Sequence, residues 1–257
     1  GTCFHPPRAM LLILLALGAP VPELSVPHCS DGVAEATPYL LTVPKQDEYP
    51  TEPTMTSVCW EGAGVVVRSN STDNDIWQTC EECNCAVFSN GDVAEAFLGP
   101  VSSPSAAPTW YLELDVGALH GASWAGIVKN SLGTDTLYTP AIPCQVDPPA
   151  GSFASCELGC GGPRPVVRTA EGPGWWWREM VVPWELYAEK FRPVDGKPWP
   201  TWRGNFYRYA YPNKLPDGSF DHSAPELSGW SSTHNPSFHI PDRFGVLTFQ
   251  PTRSSVV

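Results

Sequence analysis

A single antiparallel β-sandwich with long, disulfide-stapled loops is the fold class the sequence predicts, and three observations predict it. Proline supplies 29 of the 257 residues, about twice its usual share, and its missing N–H and fixed φ oppose long helices. Short apolar or alternating segments recur with turn residues between them, the pattern of an all-β sandwich. Eight cysteines follow the N-terminal apolar segment, an even set suited to stapling loops in an exported chain. At this length the chain can bury a core, and one sandwich domain uses most of it.

Residues 1–25 are set aside from the fold. Met10-Leu11-Leu12-Ile13-Leu14-Leu15-Ala16-Leu17-Gly18-Ala19, with Arg8 on its positive side, reads as the apolar core of a signal peptide. It is shorter than the ~20 residues a membrane span requires. Residues 26–59 read as an extended, proline-bearing lead-in, and 60–257 as the sandwich. Val65-Val66-Val67 forms a short buried strand that enters a polar loop over 69–75. Strands follow at 92–98, 110–116 and 123–128. In the second of these Trp110, Leu112, Leu114 and Val116 share one face and Tyr111, Glu113 and Asp115 the other, because strand side chains alternate. A serine- and proline-rich loop covers 102–108. A long irregular insertion runs over 132–173 and holds three cysteines. A strand over 175–182 closes at Pro183, a short helical turn covers 184–187, and the last strands fall at 205–211 and 244–249.

With 27 acidic against 15 basic residues, a formal net charge of -12, the surface repels nucleic acid and anionic membrane but suits neutral glycans or cations. The cysteines Cys29, Cys59, Cys80, Cys83, Cys85, Cys144, Cys156 and Cys160 are the disulfide candidates; their pairing is left open. A four-thiolate zinc site from Cys80, Cys83, Cys156 and Cys160 is the alternative that their spacing permits. Asn70-Ser71-Thr72 is a sequon, expected on a loop. Asp73, Asn74 and Asp75 gather hard oxygen donors, so Asp73 and Asp75 are the candidate calcium ligands.

Four closing elements carry a family resemblance: Trp202-Arg203-Gly204-Asn205-Phe206-Tyr207-Arg208, Gly229-Trp230-Ser231, Phe238-His239-Ile240-Pro241 and Phe244-Gly245-Val246-Leu247. With Asp92-Val93-Ala94-Glu95-Ala96-Phe97, Tyr111-Leu112-Glu113-Leu114-Asp115-Val116 and Val181-Val182-Pro183-Trp184 they resemble, in order and spacing, the family 9-like carbohydrate-binding modules. Those modules are β-sandwiches related to the DOMON domains. The resemblance implies a secreted, extracellular domain that binds a polysaccharide or oligosaccharide of β-glucan or xylan type. It also implies a role in carbohydrate catabolism alongside glycoside hydrolases. Family members clamp a sugar between two tryptophans and bond its hydroxyls with a glutamate, an asparagine and an arginine. Trp230 matches one clamp and Glu95 the glutamate. Ser89-Asn90-Gly91 stand where the second clamp tryptophan is usual, so Trp77 and Trp202 are the candidates for the opposing wall. An indole gains contact area on a sugar's C–H face while a carboxylate accepts from its hydroxyls.

Three rival functions follow from the same residues. Glu113 and Asp115 share a strand face at about the separation of an inverting glycosidase pair, yet the expected role is binding without hydrolysis of O-glycosyl bonds. A haem site of DOMON type would have only Met55 and Met180 as thioether ligands after the apolar segment. A ligand-less extracellular interaction domain of the same fold is the third. His239, inside the Phe238-His239-Ile240-Pro241 pattern, is expected to make a structural hydrogen bond.

Overall fold

The computed structural model describes residues 20–42, 45, 48–81, 87–119, 123–129 and 165–252. The apolar segment at 10–19, most of the 132–173 insertion, and Cys83, Cys85, Cys144, Cys156 and Cys160 lie outside the described residues. Among the described residues thirteen strands form two sheets. The strands are β1 (Glu23–Val26), β2 (Ala34–Ala36), β3 (Leu40–Leu41), β4 (Thr54–Trp60), β5 (Gly64–Thr72), β6 (Val93–Pro100) and β7 (Trp110–Gly117). They continue with β8 (Ser123–Lys129), β9 (Val166–Gly172), β10 (Trp175–Pro183), β11 (Thr201–Ala210), β12 (Glu226–Gly229) and β13 (Gly245–Phe249). One sheet runs β1-β13-β11-β6-β7-β8, with β12 joining β11 to β3; the other runs β2-β4-β5-β10-β9. β1 pairs parallel with β13, and the other named pairs are antiparallel. Residues 23–25, set aside from the fold with the N-terminal segment, instead begin β1 and add to the larger sheet beside β13; the 26–59 lead-in supplies β3 to that sheet and β2 and most of β4 to the other. Among the described residues no helix is long and apolar enough to cross a membrane.

Alternation builds the interior. Ala96, Leu98, Leu112, Leu114, Trp202, Phe206 and Leu247 of one sheet meet Val58, Val65, Val67, Met180 and Val182 of the other. Trp202 packs edge-on against Tyr187 and Trp184, with ring centroids 4.6 and 6.0 Å away. Each such aromatic buries ~150–250 Å² and dominates the packing energy. A disulfide joins Cys29 to Cys59 across a separation of 30 residues, a loop length that stabilises the fold by about 3–4 kcal/mol. Cys80 is also disulfide-bonded, so its sulfur does not serve the zinc alternative.

Residues 69–72, expected in a loop, continue β5. Their polar side chains read as loop because the partners were invisible. Ser71 bonds Thr54 at 3.0 Å, Ser69 bonds Thr56 at 2.9 Å, and Thr56 bonds Tyr39 at 2.6 Å. A cross-strand hydroxyl ladder satisfies groups that would otherwise be costly to bury. Asn70 sits exposed on this strand rather than on a loop.

One end of the interior is charged. Trp176 is fully buried, with the Arg178 guanidinium 3.3 Å and that of Arg208 4.4 Å from its ring centroid. Nη1 of Arg178 donates to the Val116 carbonyl at 2.8 Å. Nη2 of Arg208 donates to Asp73 at 2.7 Å and Asp92 at 3.3 Å, and lies 3.8 Å from Glu52. Buried charges persist when paired in this way.

Candidate functional site

Strand register gathers the outward side chains of the larger sheet. Glu95 is opposite both Tyr207 and Asp115, and Phe97 is opposite Glu113. Opposed residues point to the same side, so Glu95, Glu113, Asp115, Tyr207 and Tyr209 share the outer face. The 231–244 segment covers part of it. Phe238 stacks on Tyr207 at 4.0 Å and meets Tyr209 edge-on at 5.1 Å. Nδ1 of His239 is hydrogen-bonded to the Tyr111 hydroxyl at 2.7 Å, as the sequence pattern leads one to expect. Asn205 holds this segment in place: its side-chain amide donates to the Ser231 carbonyl at 2.7 Å and accepts from the Ser231 N–H at 2.9 Å. Arg203 donates to the carbonyls of Phe244 and Asp242 at 2.7 and 3.0 Å.

A surface cavity of ≈ 140 Å³ remains between Phe88, Glu95, Glu113, Tyr209, Ser237, Phe238 and His239. Glu95 and Glu113 border it and Asp115 lies beneath, 0% exposed. One carboxylate oxygen from each of the three lies within 4.8 Å of the others. Burial, then the charge of Glu113, pushes Glu95 well above the usual carboxylate range. Burial, then Glu95 and Glu113, does the same to Asp115. Burial raises Glu113 to about 8, and burial lowers His239. The Glu113–Asp115 pair expected at inverting-glycosidase spacing therefore converges more closely, with Asp115 out of a substrate's reach.

The expected Trp230–Glu95 pair is not brought together. Trp230 is 6% exposed, its ring 5.8 Å from that of Phe206 within the inter-sheet core. Phe206 and Tyr207 are successive strand residues and so face opposite ways; Glu95 goes with Tyr207. A Cβ at Gly245 would collide with the Trp230 indole, so a glycine is needed there for the ring to fit. Trp202, proposed as a wall, is a core residue with 0% exposure. Trp230 also lines a cavity of ≈ 400 Å³ with Pro22, Leu40, Ser231 and Arg243, but apart from Glu95; the local loop chemistry around it does not show which sheet face the indole takes.

Trp77 lies on a segment that pairs with residues 90–92. The Trp77 carbonyl accepts from Asp92 N–H at 2.7 Å and Thr79 N–H donates to Asn90 at 2.8 Å, which sets Trp77 beside 89–91. His222 covers one face of the indole at 4.2 Å, and Tyr211 packs perpendicular to it at 4.8 Å. Asp73 and Asp75 do not form the expected calcium pair. Asp73 is buried and accepts from Trp176 Nε1 and Arg208, while Asp75 turns to His222 Nε2 at 2.7 Å. The counter-charge of Arg208 holds Asp73 inside, and because β5 ends at Thr72 the chain turns into a loop that sets Asp75 beside His222. Met55 is exposed and Met180 buried, on opposite faces of the smaller sheet, so they cannot ligate one haem.

Sequence reasoning missed the meeting of Glu95 with Glu113 and Asp115. The alternation of Glu113 and Asp115 was visible, but not the register that sets Glu95 opposite Asp115. Tyr209 was missed too; its placement one alternation beyond Tyr207 is the signal that could have found it.

The charged interior carries a pH prediction. Burial pushes Asp92 up to about 7 against the pull of Arg208, and burial also raises Glu52. Asp73, Glu52, Arg208 and Arg178 are the charged groups around it. Unfolded aspartate ionises near ~4, so between that pH and about 7 the folded state binds more protons. Stability is then greatest at the acid end and falls as pH rises through 7. Urea midpoints from pH 4.5 to 8 should fall less steeply in Asp92→Asn than in wild type; parallel profiles would assign the dependence to other groups.

Solved structures share this architecture. A protein from Bacteroides uniformis ATCC 8492, described as carbohydrate-binding, superposes with a TM-score of 0.58 at 18% identity, over 90% of this chain and 100% of that one. A family 9 carbohydrate-binding module from Caldicellulosiruptor kristjanssonii in complex with cellotriose gives 0.54 at 11% identity, over 91% and 97%. A structure of a family 9 module from the same organism with glucose gives 0.52 at 10% identity, over 91% and 98%. No protein-family model and no curated protein matches the chain. The chain has the fold of the family 9-like carbohydrate-binding modules.

Proposed function

We propose that this domain binds carbohydrate through the outer face of its larger sheet, with β-linked glucan or xylan oligosaccharides as the ligand class. The observation that carries the reading is the cavity where Glu95 and Glu113 meet the half-buried rings of Tyr209 and Phe88. That chemistry suits a sugar: rings take the C–H face, and carboxyls exchange hydrogen bonds with the hydroxyl rim. Trp77 extends the aromatic row past Tyr211, a residue that follows Tyr209 on the same side of the chain, about 7 Å along it. The fold is one on which solved proteins hold cellotriose and glucose, which supports the same ligand class here. Export of the chain, a glycan on exposed Asn70 and service beside glycoside hydrolases belong to this reading.

Calorimetric titration with cello- and xylo-oligosaccharides tests it. Tyr209→Ala and Trp77→Ala should each weaken binding about 10-fold, the equivalent of ~1.4 kcal/mol of stacking. Trp177→Ala, on the smaller sheet, should leave affinity unchanged. Absence of binding by the wild type, or equal binding by all four proteins, would defeat the assignment.

A further inference from the structure

We propose that Glu95, Glu113 and Asp115 form a binding site for a divalent cation, in the floor of the outer-face cavity. Three rigid positions build it. Glu95 on β6 is opposite Asp115 on β7, and Glu113 is two residues along β7 on the same face. One oxygen from each carboxyl falls within 4.8 Å of the others. Oxygens bound to a common ion at ~2.4 Å lie no more than ~4.8 Å apart, so the three can share one centre with small side-chain adjustment.

A second observation points to a ligand. Both carboxylate oxygens of Asp115 are fully buried, and neither has a hydrogen-bond partner among the described residues. Buried carboxylates elsewhere in this fold are provided for: Asp73 has Arg208 and the Trp176 N–H, and Asp92 has Arg208 and the Trp77 N–H. Asp115 instead faces two more carboxyls. The one basic side chain that the described residues bring to the cluster is His239, whose Nε2 is 3.8 Å from Glu113. Its Nδ1 is engaged with Tyr111, which leaves a single ring nitrogen, 3.8 Å from Glu113, to face three carboxyls. A cation between the oxygens supplies both the missing charge and the missing partner for Asp115.

The donors select the ion. Three carboxylates offer up to six hard oxygens, which suits calcium or manganese better than thiophilic metals. Calcium accepts the irregular geometry that two adjacent strands impose, whereas magnesium requires a near-ideal octahedron. Glu95 and Glu113 border the cavity, which leaves the outer side of the ion open to water or to a ligand hydroxyl. Cation binding does not depend on the sugar reading, and it is measured without sugar.

The full chain, stripped with chelator, should take up a single cation in titrations with CaCl₂ or MnCl₂, and thermal melts should shift upward. Asp115→Asn should weaken that affinity about 100-fold, because ligand charge sets affinity at oxygen sites. Its melting point in chelator should equal or exceed that of wild type, since a buried carboxyl without a partner is replaced by a group that carries no charge at any pH; this shows the variant is folded. Glu113→Gln should act likewise. Absence of binding by the wild type with calcium, manganese, magnesium and zinc would overturn the proposal. So would uptake that both variants retain, or uptake of zinc alone. Cation uptake is titrated without sugar and sugar binding on its own, so intact cation binding with no sugar binding would count only against the sugar assignment, and the reverse result only against the cation.

Discussion

Arg208→Met is expected to destabilise the domain by about 3–5 kcal/mol, the cost of breaking a buried ion pair by removing one partner. The guanidinium is fully buried and bonds Asp73 and Asp92, with Glu52 close by. Methionine fills similar volume, so the loss reports charge rather than a cavity. Three buried carboxyls would then face one another, with Arg178 the one nearby cation among the described residues. The urea midpoint at pH 8 should fall, and lowering the pH toward 5 should recover part of it as the carboxyls protonate. A midpoint within experimental error of wild type at pH 8 would mean that this charged interior does not organise the sandwich.

Trp230→Ala should cost about 3–5 kcal/mol through the cavity it leaves, as for other large-to-small core changes. The indole packs on Phe206 and against Gly245 and belongs to the inter-sheet core. Where the variant remains folded, its affinity for oligosaccharide should match wild type. Stability near wild type with sugar binding lost would restore Trp230 to the ligand surface. The comparison with Tyr209→Ala is informative because the two changes are expected to divide cleanly, one lowering stability and the other affinity.

The contrast between these residues shows where sequence reading reaches its limit. The strands at 92–98, 110–116, 175–182 and 205–211 were legible because period-two alternation and proline punctuation are local signals. The β5 extension over 69–72 was not, because Ser69 and Ser71 become acceptable core residues only when Thr54 and Thr56 stand opposite. The cysteine count indicated a stapled fold, but geometry rather than spacing joined Cys29 to Cys59. Glu95 was singled out as a candidate; its meeting with Glu113 and Asp115, which were read for a different role, was not legible because it depends on register.

Composition and alternation by themselves determined that this chain forms a two-layer β-fold rich in aromatic packing, because those signals act over a few residues. Only the tertiary structure decided which face each aromatic takes, which buried charges are paired, and which carboxyls meet. Register is the physical reason: moving a strand by a single residue exchanges its two faces, and no local pattern specifies which strand lies alongside. Trp230 and Trp202 thereby belong to the core, Asp73 to Arg208, and Glu95 to a three-carboxyl cluster.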